Sequence, residues 1–184
     1  IAYEFVQNYA RQLDPSGKEL KCLRNGIKLK LNDSNLNVFA ADSTKLDGFN
    51  ASFALIDEYH AAKDSRLYDV LKSSQGQRKN PHLMVISTVG FSITSPFKKL
   101  YDTDCEILHG LKEDDSTFAM IFALDDGDDW RDETVWRKIA PNLDITVTTK
   151  YLREQVIQAE NNVSAETGIL VKNFNVWQQV TNIW

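Results

Sequence analysis

Two short apolar runs, each ending abruptly in residues of catalytic type, constrain this chain more than anything else in it. Ser52-Phe-Ala-Leu-Ile56 runs into Asp57-Glu58, and Leu83-Met-Val-Ile86 runs into Ser87-Thr88. Neither run alternates cleanly, so both read as strands buried on both faces, as in a parallel sheet covered by helices. Between them, about Ser65 to Ser74 carries Leu67, Val70 and Leu71 on one helical face, and Gly76 through Pro81 is a breaker-rich loop. Strand, helix, loop, strand is a βαβ unit, so the expected fold class is α/β with a right-handed crossover. In open α/β sheets ligands bind beyond the carboxyl ends of the strands. Asp57 and Glu58 therefore lie at a binding edge, and parallel pairing brings Ser87 and Thr88 out on the same edge.

Adjacent residues at a strand end point to different sides, so the two carboxylates can divide the work. The first can hold Mg²⁺ through its waters, and the second can take a proton from an attacking water. Small hydroxyls at positions 87 and 88 can contact a terminal phosphate or that water. A lone apolar run before Asp-Glu is more often a helix cap or a surface pair. Two such ends joined by one helical crossover make the pairing the signal.

The flanking sequence supplies the frame. Ile1, Phe5, Tyr9 and Leu13 recur every fourth residue and predict an amphipathic opening helix, ended by Asp14-Pro15-Ser16-Gly17. Ile27, Leu29 and Leu31 alternate with Lys28 and Lys30, and Asn25-Gly26 suits a type I′ turn, which predicts a β-hairpin over Glu19 to Leu31. Leu36 to Ala40 reads as another buried strand, Ser95 to Leu108 as a helix and Thr117 to Leu124 as a further strand. Beyond the acidic stretch Asp125 to Asp129 the pattern is helical: Glu133 to Ile139, Thr149 to Glu160, and about Ala165 to Trp177.

FALIDEYH followed by LMVISTVGF resembles the Walker B and coupling motifs of the large terminase subunit, the DNA-packaging motor protein of tailed phages and prophages. The resemblance extends from about residue 36 to 184. Ala41 to Asn50 is similar to the segment before the Walker B strand, and Ser95-Pro-Phe97 to the helix start after the coupling motif. Asp128 through Trp136, Ala140-Pro-Asn-Leu143 and Asn175-Val-Trp177 are similar to the stretch joining ATPase and nuclease. The resemblance implies Asp57 as the Mg²⁺-associated carboxylate, Glu58 as catalytic base, and Ser87 and Thr88 as the nucleotide-responsive coupling pair. It implies ATP and Mg²⁺ as cofactors. The implied partners are double-stranded DNA, a portal protein and a small terminase subunit, in a homo-oligomeric ring in the host bacterial cytoplasm, with a C-terminal nuclease. The fold expected from it is a partial P-loop-NTPase-like sheet with parallel core strands and an N-terminal β-hairpin, followed by a helical linker subdomain. Residues 1–124 are then the later portion of an ATPase domain, and residues 125–184 a linker towards the nuclease.

A phosphate-binding loop needs Gly, four residues, then Gly-Lys-Ser or Gly-Lys-Thr. Of the glycines at 17, 26, 48, 76, 90, 110, 127 and 168, only Gly17 precedes a lysine; Glu19 follows it and Gln12 stands five positions earlier. The sequence opens at Ile1 directly in a helical pattern. The expectation is therefore an excised middle lacking P-loop and nuclease, inactive by itself. The 21 Lys and Arg against 26 Asp and Glu, a net charge of −5, argue against a uniformly basic surface that coats nucleic acid. Cys22 and Cys105 cannot make a disulfide scaffold or a four-cysteine zinc site, and suit a reducing compartment.

Weaker signals have bland readings beside them. His60 can touch phosphate or polarise Glu58, but a strand-end histidine is more often structural. Lys45, Lys63 and Arg66 default to solvated side chains, and His82 and His109 lack partners at metal-ligand spacing. Asp125 to Glu133 resembles half a calcium loop, yet carboxylates before a helix N-terminus explain it better. Trp136 falls on a core face, whereas Trp177 and Trp184 look like packing residues whose partner domain is absent. The residues alone leave two other readings open. One is a DExH-type helicase core fragment, since Asp57-Glu-Tyr-His60 fits that form although the tail shows no second α/β pattern. The other is a non-catalytic structural α/β module.

Overall fold

The computed structural model describes residues 2–40 and 50–179. They fall into two compact units, Ile1–Asp47 and Gly48–Trp184. In the first, helix α1 (Ala2–Leu13) leans on a three-stranded antiparallel sheet of β1 (Leu20–Leu23), β2 (Gly26–Leu29) and β3 (Asn35–Asn37). The face it uses is polar and small. Tyr3 Oη lies within hydrogen-bond reach of the Leu23 and Gly26 carbonyls, Gln7 Nε2 donates to Leu23 O at 2.7 Å, and Ala10 is buried. Phe5, Tyr9 and Leu13, the predicted apolar stripe, are exposed in this unit. Asp14 joins helix to sheet: the Leu20 and Glu19 amides and the Ser16 hydroxyl all donate to its carboxylate, which holds it far below the usual carboxylate range.

The hairpin forms, with its turn one residue earlier than expected. Leu23 pairs with Gly26, so Arg24 and Asn25 make the turn, and neither has positive φ. A type I′ turn, which needs φ > 0 at both positions, is thus excluded. Gly26 serves a different purpose: a Cβ there would stand 2.6 Å from Leu36 O on the neighbouring strand. The Leu36 to Ala40 expectation is corrected by the same pairing. Only Asn35–Asn37 is strand, it runs antiparallel to β2, and it is exposed. Asn37 interrupts the apolar run, and the strand is exposed at all three positions.

The second unit is built on the βαβ pattern. Strands β4 (Phe53–Asp57) and β5 (His82–Ile86) pair in parallel, from Phe53 opposite His82 to Asp57 opposite Ile86, with α2 (Arg66–Ser74) between them in sequence. Burial alternates along both strands. Ala54 and Ile56 are covered, while Phe53, Leu55, Met84 and Ile86 on the opposite face are exposed, which corrects the expectation of burial on both faces. Helix α3 (Pro96–Leu108) opens with Ser95 as N-cap, its hydroxyl accepting from Lys98 N, and proline at the first turn, as the Ser-Pro-Phe signal predicts.

Thr117 to Leu124 makes no strand pairing among the described residues, contrary to expectation; Phe118 and Met120 lie in solvent. Phe118 to Leu124 is a continuous apolar run of strand length, but among the described residues no neighbouring backbone offers it a ladder. Downstream, the short α4 (Trp136–Ile139), α5 (Thr149–Asn161) and α6 (Val163–Phe174) close around the main core of Trp136, Leu143, Leu152, Val156, Ala159, Ile169, Leu170 and Phe174. Trp136 and Phe174 are fully buried, and the Trp136 indole N–H donates to Trp130 O at 2.8 Å. Lys138 pairs with both Asp125 and Asp128, and Asp132 caps the 3-10 turn Glu133–Val135, so the acidic stretch is spent on local structure. No helix among the described residues is long and apolar enough to cross a membrane.

Candidate active site

Glu58 is where the chain leaves the sheet. Its backbone takes the left-handed conformation, φ 53° and ψ 46°, which is uncommon for a residue with a Cβ and costs on the order of 1 kcal/mol. A 3-10 turn, Tyr59–Ala61, follows at once. Tyr59 is the peg: it is 3 % exposed and its ring stacks on Tyr68 and meets the edge of Phe97. Burial raises its phenol to about 12, with Asp69 adding to the shift. With residue 59 driven inward, residues 58 and 60 stand on the outside of the sheet edge.

Asp57 lies on the exposed side of β4, and its carboxylate has no hydrogen-bond or ion-pair partner among the described residues. A free carboxylate at a strand end fits a Mg²⁺ ion held mainly by water and phosphate oxygens. Among the described residues no three acidic, histidine or cysteine side chains gather into a protein-built cage for a metal.

The parallel register delivers Ser87 and Thr88 next to the same edge, and His60 connects them to Glu58. His60 Nδ1 lies 3.1 Å from Glu58 Oε2, 3.1 Å from Ser87 Oγ and 3.5 Å from Thr88 Oγ1. The His60 backbone N–H donates to Ser87 Oγ at 2.9 Å, and the Ser87 hydroxyl donates to Thr88 O at 2.8 Å. Gly90 permits this approach, since a Cβ there would stand 3.2 Å from His60 Cβ. The next link runs far along the chain. Val89, 2 % exposed, donates its N–H to Asn175 Oδ1 at 2.9 Å, and Asn175 Nδ2 donates to Phe122 O at 2.7 Å. Asn175 holds the left-handed cap of α6, φ 53°.

The four predicted site residues therefore share one edge, and sequence reasoning undervalued two others. His60 had a signal, its place in Asp-Glu-Tyr-His, but the bland reading outweighed it. Asn175 stood only within the Asn175-Val-Trp177 resemblance, inside a segment read as helix to Trp177, with no role attached to it. Trp177 is corrected: its ring packs against Phe97 and Tyr101, so its partner lies within the chain. Trp184 and Lys45 lie outside the described residues. Lys63 lines a cleft of about 510 Å³ with Tyr59, Tyr68 and Lys99, which none of the four site residues reaches. His82 stacks on Phe53, and His109 Nδ1 binds Cys105 O, so both are used structurally.

Residues 6–104 match the family model for the ATPase domain of the terminase large subunit. The chain belongs to the terminase large subunit family. Residues 112–184 match the model for the endonuclease domain of the same subunit, so the segment read from sequence as a linker falls within that match. The chain is 32% identical over 131 residues to Protein YmfN of Escherichia coli (strain K12), an alignment covering 71% of this chain and 29% of that protein. The fold is similar to that in the crystal structure of the HK97 bacteriophage large terminase, with a TM-score of 0.76 and 17% identity. That superposition covers 92% of this chain and 36% of the other. The terminase chain thus spans roughly a third or less of the length of these relatives, as the 29% and 36% coverages state.

Proposed function

We propose that this terminase chain carries the Walker B and coupling part of an ATP-hydrolysing motor that drives double-stranded DNA into a procapsid. The observation that supports the reading best is the shared edge itself: Asp57, Glu58, Ser87 and Thr88 end two parallel strands in register, with His60 bonded across them. In this reading Asp57 holds Mg²⁺ through its waters, and the ion supplies charge neutralisation at the phosphates. Glu58 accepts the proton of the attacking water through the carboxylate oxygen that His60 does not occupy. Ser87 and Thr88 face the same space and respond to the terminal phosphate. The match of residues 6–104 to the terminase ATPase-domain model favours this reading over a helicase core.

Residues 1–124 are assigned to the later portion of the ATPase domain, and residues 125–184 to a helical linker towards the cutting centre. The ATPase match over residues 6–104 supports the first assignment, and the nuclease match from residue 112 ties the second segment to the cutting side. The parent protein works in the host bacterial cytoplasm with portal, small subunit and DNA, as an oligomeric ring. Because the sequence has no Gly-x4-Gly-Lys-Ser/Thr pattern, the 184-residue chain by itself does not hydrolyse ATP.

The test is steady-state ATP turnover by the parent protein with and without double-stranded DNA and Mg²⁺. The reading predicts turnover that needs Mg²⁺ and rises with DNA, and absence of turnover under all these conditions overturns it. Calorimetric titration of the 184-residue chain with ATP should show no tight binding. A submicromolar dissociation constant would contradict the assignment of the phosphate cradle to other parts of the parent.

A further inference from the structure

We propose that His60 is the positioning residue for the Glu58 carboxylate, holding it by a proton on Nδ1 that is shared with Ser87. The inference rests on Glu58 being the catalytic base, as proposed above. Glu58 needs such help. Its side chain is 60% exposed, and His60 Nδ1, at 3.1 Å, is the one polar side-chain group paired with it among the described residues. A glutamate on the surface spreads over many rotamers, whereas a general base must stay within hydrogen-bond reach of its water.

The neighbours of Nδ1 favour a proton on it. Glu58 Oε2, at 3.1 Å, can only accept, so a bare Nδ1 lone pair would place two acceptors in contact. Ser87 Oγ, also at 3.1 Å, has its own hydrogen directed to Thr88 O and presents lone pairs to the ring and to the His60 amide. A proton on Nδ1, in neutral imidazole or imidazolium alike, suits both neighbours. The backbone holds the ring where it is: the His60 N–H on Ser87 Oγ fixes the near end, and Gly90 lies against its Cβ. A movement of the 87–88 segment is thus felt at Glu58 through the His60 ring, whose Nδ1 lies 3.1 Å from both Ser87 Oγ and Glu58 Oε2. That makes His60 the physical link between the coupling pair and the base.

The experiment compares the parent protein with its His60→Leu, His60→Asn, His60→Gln and Glu58→Gln variants, by DNA-stimulated ATP turnover, ATP binding and thermal melting. Asparagine puts its amide N–H where Nδ1–H stands, whereas glutamine carries its amide one bond too far. His60→Leu and His60→Gln are expected to lower kcat about 10- to 100-fold, with KM and ATP affinity within about threefold of wild type. His60→Asn is expected to recover kcat to within about threefold. Normal kcat in His60→Leu overturns the proposal. So does equal loss in the Asn and Gln variants at equal melting temperature, which is what a merely structural histidine would show. If Glu58→Gln is dead while His60→Leu is normal, only this inference fails. If Glu58→Gln turns over normally, the base assignment fails and this inference falls with it.

Discussion

Glu58 combines three properties seldom found together: a left-handed backbone, a largely exposed carboxylate, and one carboxylate oxygen 3.1 Å from a neighbouring histidine nitrogen. The strain is stored where the chain turns out of the sheet, which is a common location for reacting groups. Ser87 is the residue on which the local arrangement leans most, because it accepts the His60 amide and donates to Thr88 O. Ser87→Ala should therefore lower stability by about 1 kcal/mol through the orphaned His60 N–H, whereas Thr88→Ala, at an exposed position, should stay within about 0.5 kcal/mol. Urea denaturation of the two variants beside the parent sequence measures the difference. At this scale the sequence was most legible for the carboxylates and hydroxyls, since a strand end names them directly. His60 was undervalued because its importance comes from the register that sets it against Ser87, and a single sequence does not display register.

At the level of elements, the C-terminal end of α6 is a strap across the site. Asn175 receives the Val89 amide and gives its own to Phe122 O, so three distant segments meet on one side chain. Removing it leaves a buried N–H unpaired, and Asn175→Ala is expected to cost about 1–3 kcal/mol, plus about 1 kcal/mol for alanine in the left-handed region. Asn175→Gly relieves the second cost but not the first, so it should be less destabilised than the alanine variant by roughly 1 kcal/mol. Equal losses in the two, by chemical denaturation, would mean the backbone conformation has relaxed. Helix and turn chemistry were readable here: Ser95-Pro96 and Asp132 cap as their residue types dictate. The apolar run at Thr117 to Leu124 misled, since such a run states what a strand could bury and not whether a neighbour pairs with it. Gly26 misled in a related way, being a glycine needed for close approach to β3 that looks in sequence like one needed for a turn.

Across the whole molecule, burial of phenols gives the larger unit a predictable response to alkali. Burial raises Tyr59 and Tyr101 from 10.0 to about 12. Both favour the neutral form in the folded state, so their contribution is fully present below pH 10 and is lost as pH climbs towards 12. Denaturation midpoints measured from pH 9 to 12 should fall through that window, and Tyr101→Phe should flatten the fall. A slope unchanged by the substitution would show that Tyr101 does not contribute to it.

The global arrangement was legible where periodicity and length agree: the βαβ crossover, the helical tail and the Trp136 core. It was illegible in the covering of the sheet. Phe53, Leu55, Met84 and Ile86 belong to apolar runs, yet on their face of the sheet these side chains are about half exposed, because burial depends on what is packed there and not on the strand itself. The central claim is that the edge built by Asp57 and Glu58 performs ATP hydrolysis in the parent terminase. It is tested most directly by the turnover of its Glu58→Gln variant, with ATP binding measured in parallel. The account predicts that turnover falls by about 10²- to 10⁴-fold while ATP still binds. Unchanged turnover would contradict it.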